Sequence, residues 1–240
     1  MRLSFVAKAC LCFAIFPFLI FITMPAHGIT VNVPGTSDPW LAGMPDGSLS
    51  NVGTPEPPDV APAQSPVLVG GIVPGIQLNW SATGSVGYYV GDAGVGPDGG
   101  SWSGTHGAEN GISDTSWVRI GSLLGVFLGP EQPDLNPAPA GLGIDFSLPA
   151  NSNYLMLAPG LKQVFFMGDG VTDGGVAQTI VAPPGATRLF LGTFDTYGWA
   201  NNPGSFDVAI APVPEPATML LLGSGLLGLA GYGRKKFFRK

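Results

Sequence analysis

The chain has 240 residues, of which 37 are glycine and 24 proline, with only 11% charged and a formal net charge of −6. Lys and Glu are scarce, which argues against long solvated helices and for strands joined by tight turns. Residues 29–212 carry fifteen Asp/Glu against Arg119, Lys162 and Arg188, a net charge of −12, because the other seven bases lie at the two ends. A segment this acidic repels phosphate backbones, which excludes nucleic-acid binding, and it suits divalent cations. Most of its acids need serve only solubility.

Residues 1–28 begin with Arg2 and Lys8, continue through an apolar stretch from Ala9 to Met24 and end in Ala26-His27-Gly28. A basic start, a short apolar segment and a small-residue cleavage site predict a signal helix removed on export. Cys10 and Cys12 both fall inside it. The exported part therefore has no disulfide, no thiolate metal site and no cysteine nucleophile. Residues 29–65 include Thr54-Pro55-Glu56-Pro57-Pro58-Asp59 and read as an extended or poorly ordered surface segment, with Val31 and Val33 as an edge strand.

The pattern changes at Pro66. Residues 75–82 alternate polar and apolar, the mark of a half-buried strand, and residues 84–89 continue it or begin its return. A glycine-rich loop over 91–104 follows. Further short strands are predicted at 118–120, 123–128, 143–148, 154–157, 162–167, 177–181, 188–192 and 205–210, separated by turn formers such as Gly168-Asp169-Gly170 and Pro183-Pro184-Gly185. Short strands at regular spacing predict an all-β ectodomain over 66–212, a jelly-roll-like antiparallel β-sandwich, with a single antiparallel barrel as the alternative.

The densest polar cluster runs from Phe194 to Phe206 between two apolar strands. Asp195, the adjacent Asn201 and Asn202, and glycine carbonyls supply the hard oxygens that calcium takes. The same residues also make a turn in which they cap backbone groups. Catalysis is not expected. His106 is the one histidine beyond the signal, no serine sits in a nucleophile turn, and nothing fixes the separation of Asp169, Asp173 and Asp195 as a carboxylate pair.

Residues 213–240 hold Val213-Pro214-Glu215-Pro216, an apolar run and the basic end Arg234-Lys235-Lys236-Phe237-Phe238-Arg239-Lys240. Ala217 to Gly233 is 17 residues, enough for a short transmembrane helix with a cytoplasmic basic end. The two prolines keep the preceding segment extended, the form a protease threads. This order closely resembles the sorting signal of bacterial PEP-CTERM proteins. The resemblance implies recognition of Pro214, Glu215 and Pro216 by an exosortase protease, transient inner-membrane anchoring, removal of the tail, and release to the cell envelope, outer surface or an exopolysaccharide matrix.

A second resemblance covers about Ile76 to Ile210. Asp195, Gly198 and Asn201-Asn202-Pro203-Gly204-Ser205-Phe206 are similar to the ending of the calcium-dependent, galactose-binding bacterial lectin family. Ala82 to Tyr88, Gly96-Pro97-Asp98-Gly99 and Ser122 to Gly129 resemble its upstream strand, loop and core strand. The resemblance implies a jelly-roll fold. It also implies a calcium ion held by the Asp195 carboxylate, the Asn201 and Asn202 side-chain oxygens, the Tyr88 carbonyl and a carbonyl near Gly198. A galactose-containing or self-produced polysaccharide would complete the shell and touch Asp195, Asn201 and Asn202, with Trp199 and Tyr197 either stacking on the sugar or packing as apolar cover. The turn from Asp195 to Asn201 is one residue shorter than the family's, and His106 is displaced from the family's sugar-touching histidine. The expected function is that of an exported, non-catalytic protein binding carbohydrate through calcium; the alternative is a structural surface protein that binds neither.

Overall fold

Alternation along the longest strands decides the architecture. The structure, a computed structural model, describes residues 28–138, 143–213 and 223–227. It contains β1 (Ile29–Pro34), β2 (Leu49–Ser50), β3 (Asp59–Val60), β4 (Val67–Val69), β5 (Gln77–Val86), β6 (Ser103–His106) and β7 (Thr115–Arg119). These are followed by β8 (Leu123–Leu128), β9 (Ile144–Asp145), β10 (Met156–Leu157), β11 (Val164–Phe166), β12 (Thr179–Val181), β13 (Arg188–Thr193) and β14 (Gly204–Pro212). On β5, Leu78, Trp80, Ala82 and Val86 are buried, and on β14 Phe206, Val208 and Ile210 are buried between exposed neighbours. A period of two buries one face of each strand and leaves the other in water.

These strands form a five-stranded sheet in the order β1-β14-β5-β12-β10. A four-stranded sheet, β11-β8-β13-β4, faces it. Val33, Leu78, Trp80, Phe206 and Val208 of the first sheet share one buried cluster with Val69, Phe127, Leu189 and Leu191 of the second. The fold is therefore all-β and sandwich-like, and the two sheets do not close into a single barrel. Most pairings are antiparallel, but β10 runs parallel to β12 and β9 parallel to β7, so the sheets are mixed rather than purely antiparallel.

Every residue of β8 is buried, which a strand with one wet face cannot be. Its second face is covered from outside. Pro39–Leu41, a short 3-10 turn, packs on β8 and β13, and a Cβ on Gly192 would meet Pro39 Cγ at 2.9 Å. Phe146 meets Phe166 at 6.2 Å from beside a three-stranded sheet, β6-β7-β9. This corrects the expectation for residues 29–65. They are not a poorly ordered extension: β1 pairs with β14 along its whole length, β2 and β3 form a small hairpin, and Trp40, Leu41 and Ala42 are fully buried. The physical reason is the double-sided apolarity of β8 and β13, which leaves a surface that this strap covers. The expected loop over 91–104 also ends in strand, since β6 starts at Ser103. The chain over 84–89 does not return, because β5 runs on to Val86.

The predicted signal helix lies outside the described residues, as does most of the predicted transmembrane helix. Residues 223–227 are helical, and among the described residues no helix is long and apolar enough to cross a membrane.

Candidate functional site

The chain leaves β13 at Thr193 and enters β14 at Gly204, and the polar loop between them is anchored at both ends. Thr193 N donates to Ser37 O at 2.9 Å and its hydroxyl to Gly35 O at 2.7 Å. At Gly204 the backbone has φ +86, and any Cβ there would collide with the Ser85 carbonyl, so the exit of the loop requires glycine.

Within the loop, Asp195 and Asn202 are brought together and buried, with 6% and 4% of their surface exposed. Asp195 accepts from the Thr196 N–H at 2.5 Å and from the Asn202 side chain. Burial pushes its carboxyl up to about 6, against the lowering effect of those hydrogen bonds. Asn202 Nδ2 also faces Gly35 O at 3.4 Å. With two acceptors on one side, the amide nitrogen is set toward them and Oδ1 away. Five buried side-chain polar atoms among the described residues have no hydrogen-bond partner, and two of them are Asn201 Oδ1 and Asn202 Oδ1. Buried oxygens normally find a donor. Both are hard oxygens of the kind calcium accepts, and the Asn202 amide nitrogen ties them to the loop that buries Asp195. Among the described residues no group of three or more His, Cys, Asp or Glu is placed to hold a metal ion.

The other expected ligands are less closely tied. Tyr88 follows Gly87, whose N–H donates to Pro203 O at 3.0 Å, and Tyr88 N donates to Asp92 Oδ2 at 3.2 Å. The end of β5 therefore lies against the residue after Asn202. At Gly198 a Cβ would sit 3.0 Å from Glu56 Cβ, so this turn rests on the strap.

Trp199 is corrected. It is fully buried, its Nε1 donates to Thr193 O at 2.7 Å, and its ring lies 5.8 Å from both Trp40 and His106. It has no face to offer a sugar and serves as apolar cover. Tyr197 is half exposed. His106 is structural too. It stacks on Trp40 at 3.5 Å, and its Nε2 pairs with Asn51 Oδ1 at 2.9 Å. Burial depresses its pKa to about 4, so it is neutral near pH 7.

Sequence reasoning missed the residue that props the loop. Asp59, fully buried on β3, accepts from Trp199 N at 3.0 Å and Ala200 N at 3.0 Å, and Asn51 Nδ2 holds its other oxygen at 3.0 Å. Its partners lie about 140 positions away, so no local pattern announces them. Beneath it Asp38, also fully buried, accepts from Trp40 N at 2.8 Å and from the Ser50 hydroxyl, and burial raises its pKa well above the usual carboxylate range. Asp38 before Pro39 is an N-cap followed by a first-turn proline, a readable signal of the strap beside the edge strand expected at Val31 and Val33 and found as β1.

The sandwich defines an all-β scaffold, and the tail that follows it carries a recognisable motif. A family model described as the PEP-CTERM protein-sorting motif matches residues 212–235. The motif indicates an exported surface protein, sorted by exosortase and anchored in the membrane before it reaches the cell envelope or surface. It begins where the sandwich ends: Val213 N donates to Gln77 O at 2.8 Å, and Pro214 follows with no N–H to extend the ladder. No curated protein matches the chain.

Proposed function

We propose that the exported domain is a non-catalytic, jelly-roll-type module that binds carbohydrate through a calcium ion held by Asp195, Asn201 and Asn202. Tyr88 and Gly198 would contribute backbone oxygens. The single observation that carries this reading is the pair of buried, unpartnered amide oxygens on Asn201 and Asn202, in the same loop as the buried Asp195 carboxylate. Calcium would supply the missing partners and orient two adjacent hydroxyls of a sugar. Asp195 and the asparagines would position those hydroxyls, while buried Trp199 and Trp40 stiffen the loop from behind. Exosortase processing would then deliver the domain to the outer surface or a self-produced polysaccharide matrix. His106 is occupied within the core and does not reach a sugar hydroxyl, so nothing in the loop singles out galactose.

A glycan array run in calcium and again in chelator tests the reading. Retention on galactose-containing or matrix polysaccharide that disappears in chelator is the expected result. Calcium-independent retention, or none at all together with unchanged stability on chelation, would favour a purely structural surface protein.

A further inference from the structure

A cleft of about 370 Å³ opens beside the three-stranded sheet, away from the Asp195 loop, and adjoins a second hollow of about 250 Å³. Arg119, Asn153 and Asp173 line both; Asp98 and Asp169 line the first, and Trp117 lines the second. We propose that this cleft is a separate, calcium-independent site for a neutral hexose glycan, with Trp117 as its stacking platform.

Trp117 is the first part of the argument. On β7 it is 59% exposed at φ +58. The register with β6 slips between Gly104 and His106, so Trp117 lies in a β-bulge. A bulge re-aims a side chain out of the pleat, and a bulky residue in the left-handed region persists only where the surrounding structure holds it there. A large indole held open to water is wasted as a core residue. As a platform it covers the C–H face of a sugar ring.

The polar walls supply the second part. Asp98 Oδ1 accepts from Asp169 N at 3.0 Å, Asp169 Oδ1 from Val171 N at 2.9 Å, and Asp173 Oδ2 from Asn153 Nδ2 at 2.9 Å. Asn153 Oδ1 in turn accepts from Asp173 N at 3.0 Å. Each carboxylate is thus held by one oxygen, and its other oxygen has no partner among the described residues. Arg119 enters no ion pair among the described residues and stands near Asp98. Prepositioned acceptors next to a free guanidinium donor match the rim of a sugar, whose hydroxyls donate and accept at once.

Charge selects the class of ligand. Three carboxylates repel uronates, phosphates and sulfates, while Arg119 repels a bare cation. A neutral polyhydroxyl ring uses every group.

Affinity electrophoresis of the full-length protein in detergent and EDTA, through gels containing galactomannan or a mixed-linkage β-glucan, tests it. Retardation in at least one gel is expected, with the apparent Kd raised more than about tenfold in Asp173→Ala and in Trp117→Gly. Glycine suits φ +58, so Trp117→Gly keeps the fold and separates lost binding from lost structure. Absence of retardation in both gels, retardation unchanged in Trp117→Gly, or retardation that requires calcium would overturn the proposal, the last assigning the glycan to the Asp195 loop instead.

Discussion

The Asp195 loop and the Trp117 cleft are both polar, yet they are opposite constructions. The loop is closed: Asp195 and Asn202 are almost wholly buried, and two amide oxygens lack partners. The cleft is open, with its carboxylates pinned by backbone and amide donors and its indole in water. The proposed calcium ion would supply the loop's orphaned oxygens with their partner. An open site whose carboxylates are each held by one oxygen suits a ligand that brings hydroxyls and an apolar face of its own. The strap separates them further, because Asp59 and Trp40 lie under the loop, whereas the walls of the cleft come from elsewhere in the chain.

Perturbing the strap should strike the loop hardest. Trp40 is fully buried between His106 and Trp199, so Trp40→Ala should lower the unfolding free energy by about 3–5 kcal/mol in urea melts. A change within experimental error would mean that the strap is a loosely attached spacer.

The next effect separates the two sites by pH. Asp195 has its carboxyl raised to about 6 by burial, so the folded ion-free protein prefers the protonated form. That preference is fully present below the unfolded value near 4 and is lost as pH rises through about 6, a penalty at pH 7.5 of about 3 kcal/mol. Calcium needs the carboxylate, so the rise in Tm on adding calcium should be large at pH 7.5 and vanish as pH falls through about 6. A calcium shift that is flat across this range would remove Asp195 from the site. Glycan retention at the cleft should not follow this profile.

A smaller effect is expected at Asp59. Asp59→Ala leaves the N–H groups of Trp199 and Ala200 without their acceptor, which should cost about 1–3 kcal/mol and weaken calcium binding without removing an ion ligand. Retention of full calcium affinity would show that the loop holds its shape unaided. The smallest effect has the opposite sign. Trp117→Gly should stabilise the fold by about 1 kcal/mol in the same melts, since it releases the strain of a bulky residue at φ +58, while leaving the calcium response intact.

The parts of the molecule differ in how far they could be read in advance. Strands β5 and β14 were legible because each has one dry and one wet face, and alternation records that directly. The central sheet was legible as apolar runs, but the same runs hid what covers it: a strand buried on both faces does not say by what. The strap was misread because its prolines, glycines and small polar residues look solvated. Asp38, Ser50, Asn51 and Asp59 are in fact buried and satisfied by hydrogen bonds that only the folded chain supplies. Of the candidate site, the meeting of Asp195 with Asn202 was foreseeable from the loop's composition. The inward turn of Trp199 was not, because an aromatic in a polar loop packs or projects according to what lies beneath it, and here that is Trp40. The bulge that exposes Trp117 left no local mark, since β7 otherwise reads as an ordinary strand.

The account turns on whether Asn201 and Asn202 lack partners because an ion supplies them. Calorimetric titration of calcium into the full-length protein at pH 7.5, beside an Asn201→Ala and Asn202→Ala double variant, addresses this directly. One saturable calcium site is expected in the wild type and none in the double variant. Calcium binding that survives in the double variant, or its absence from the wild type, would contradict the account.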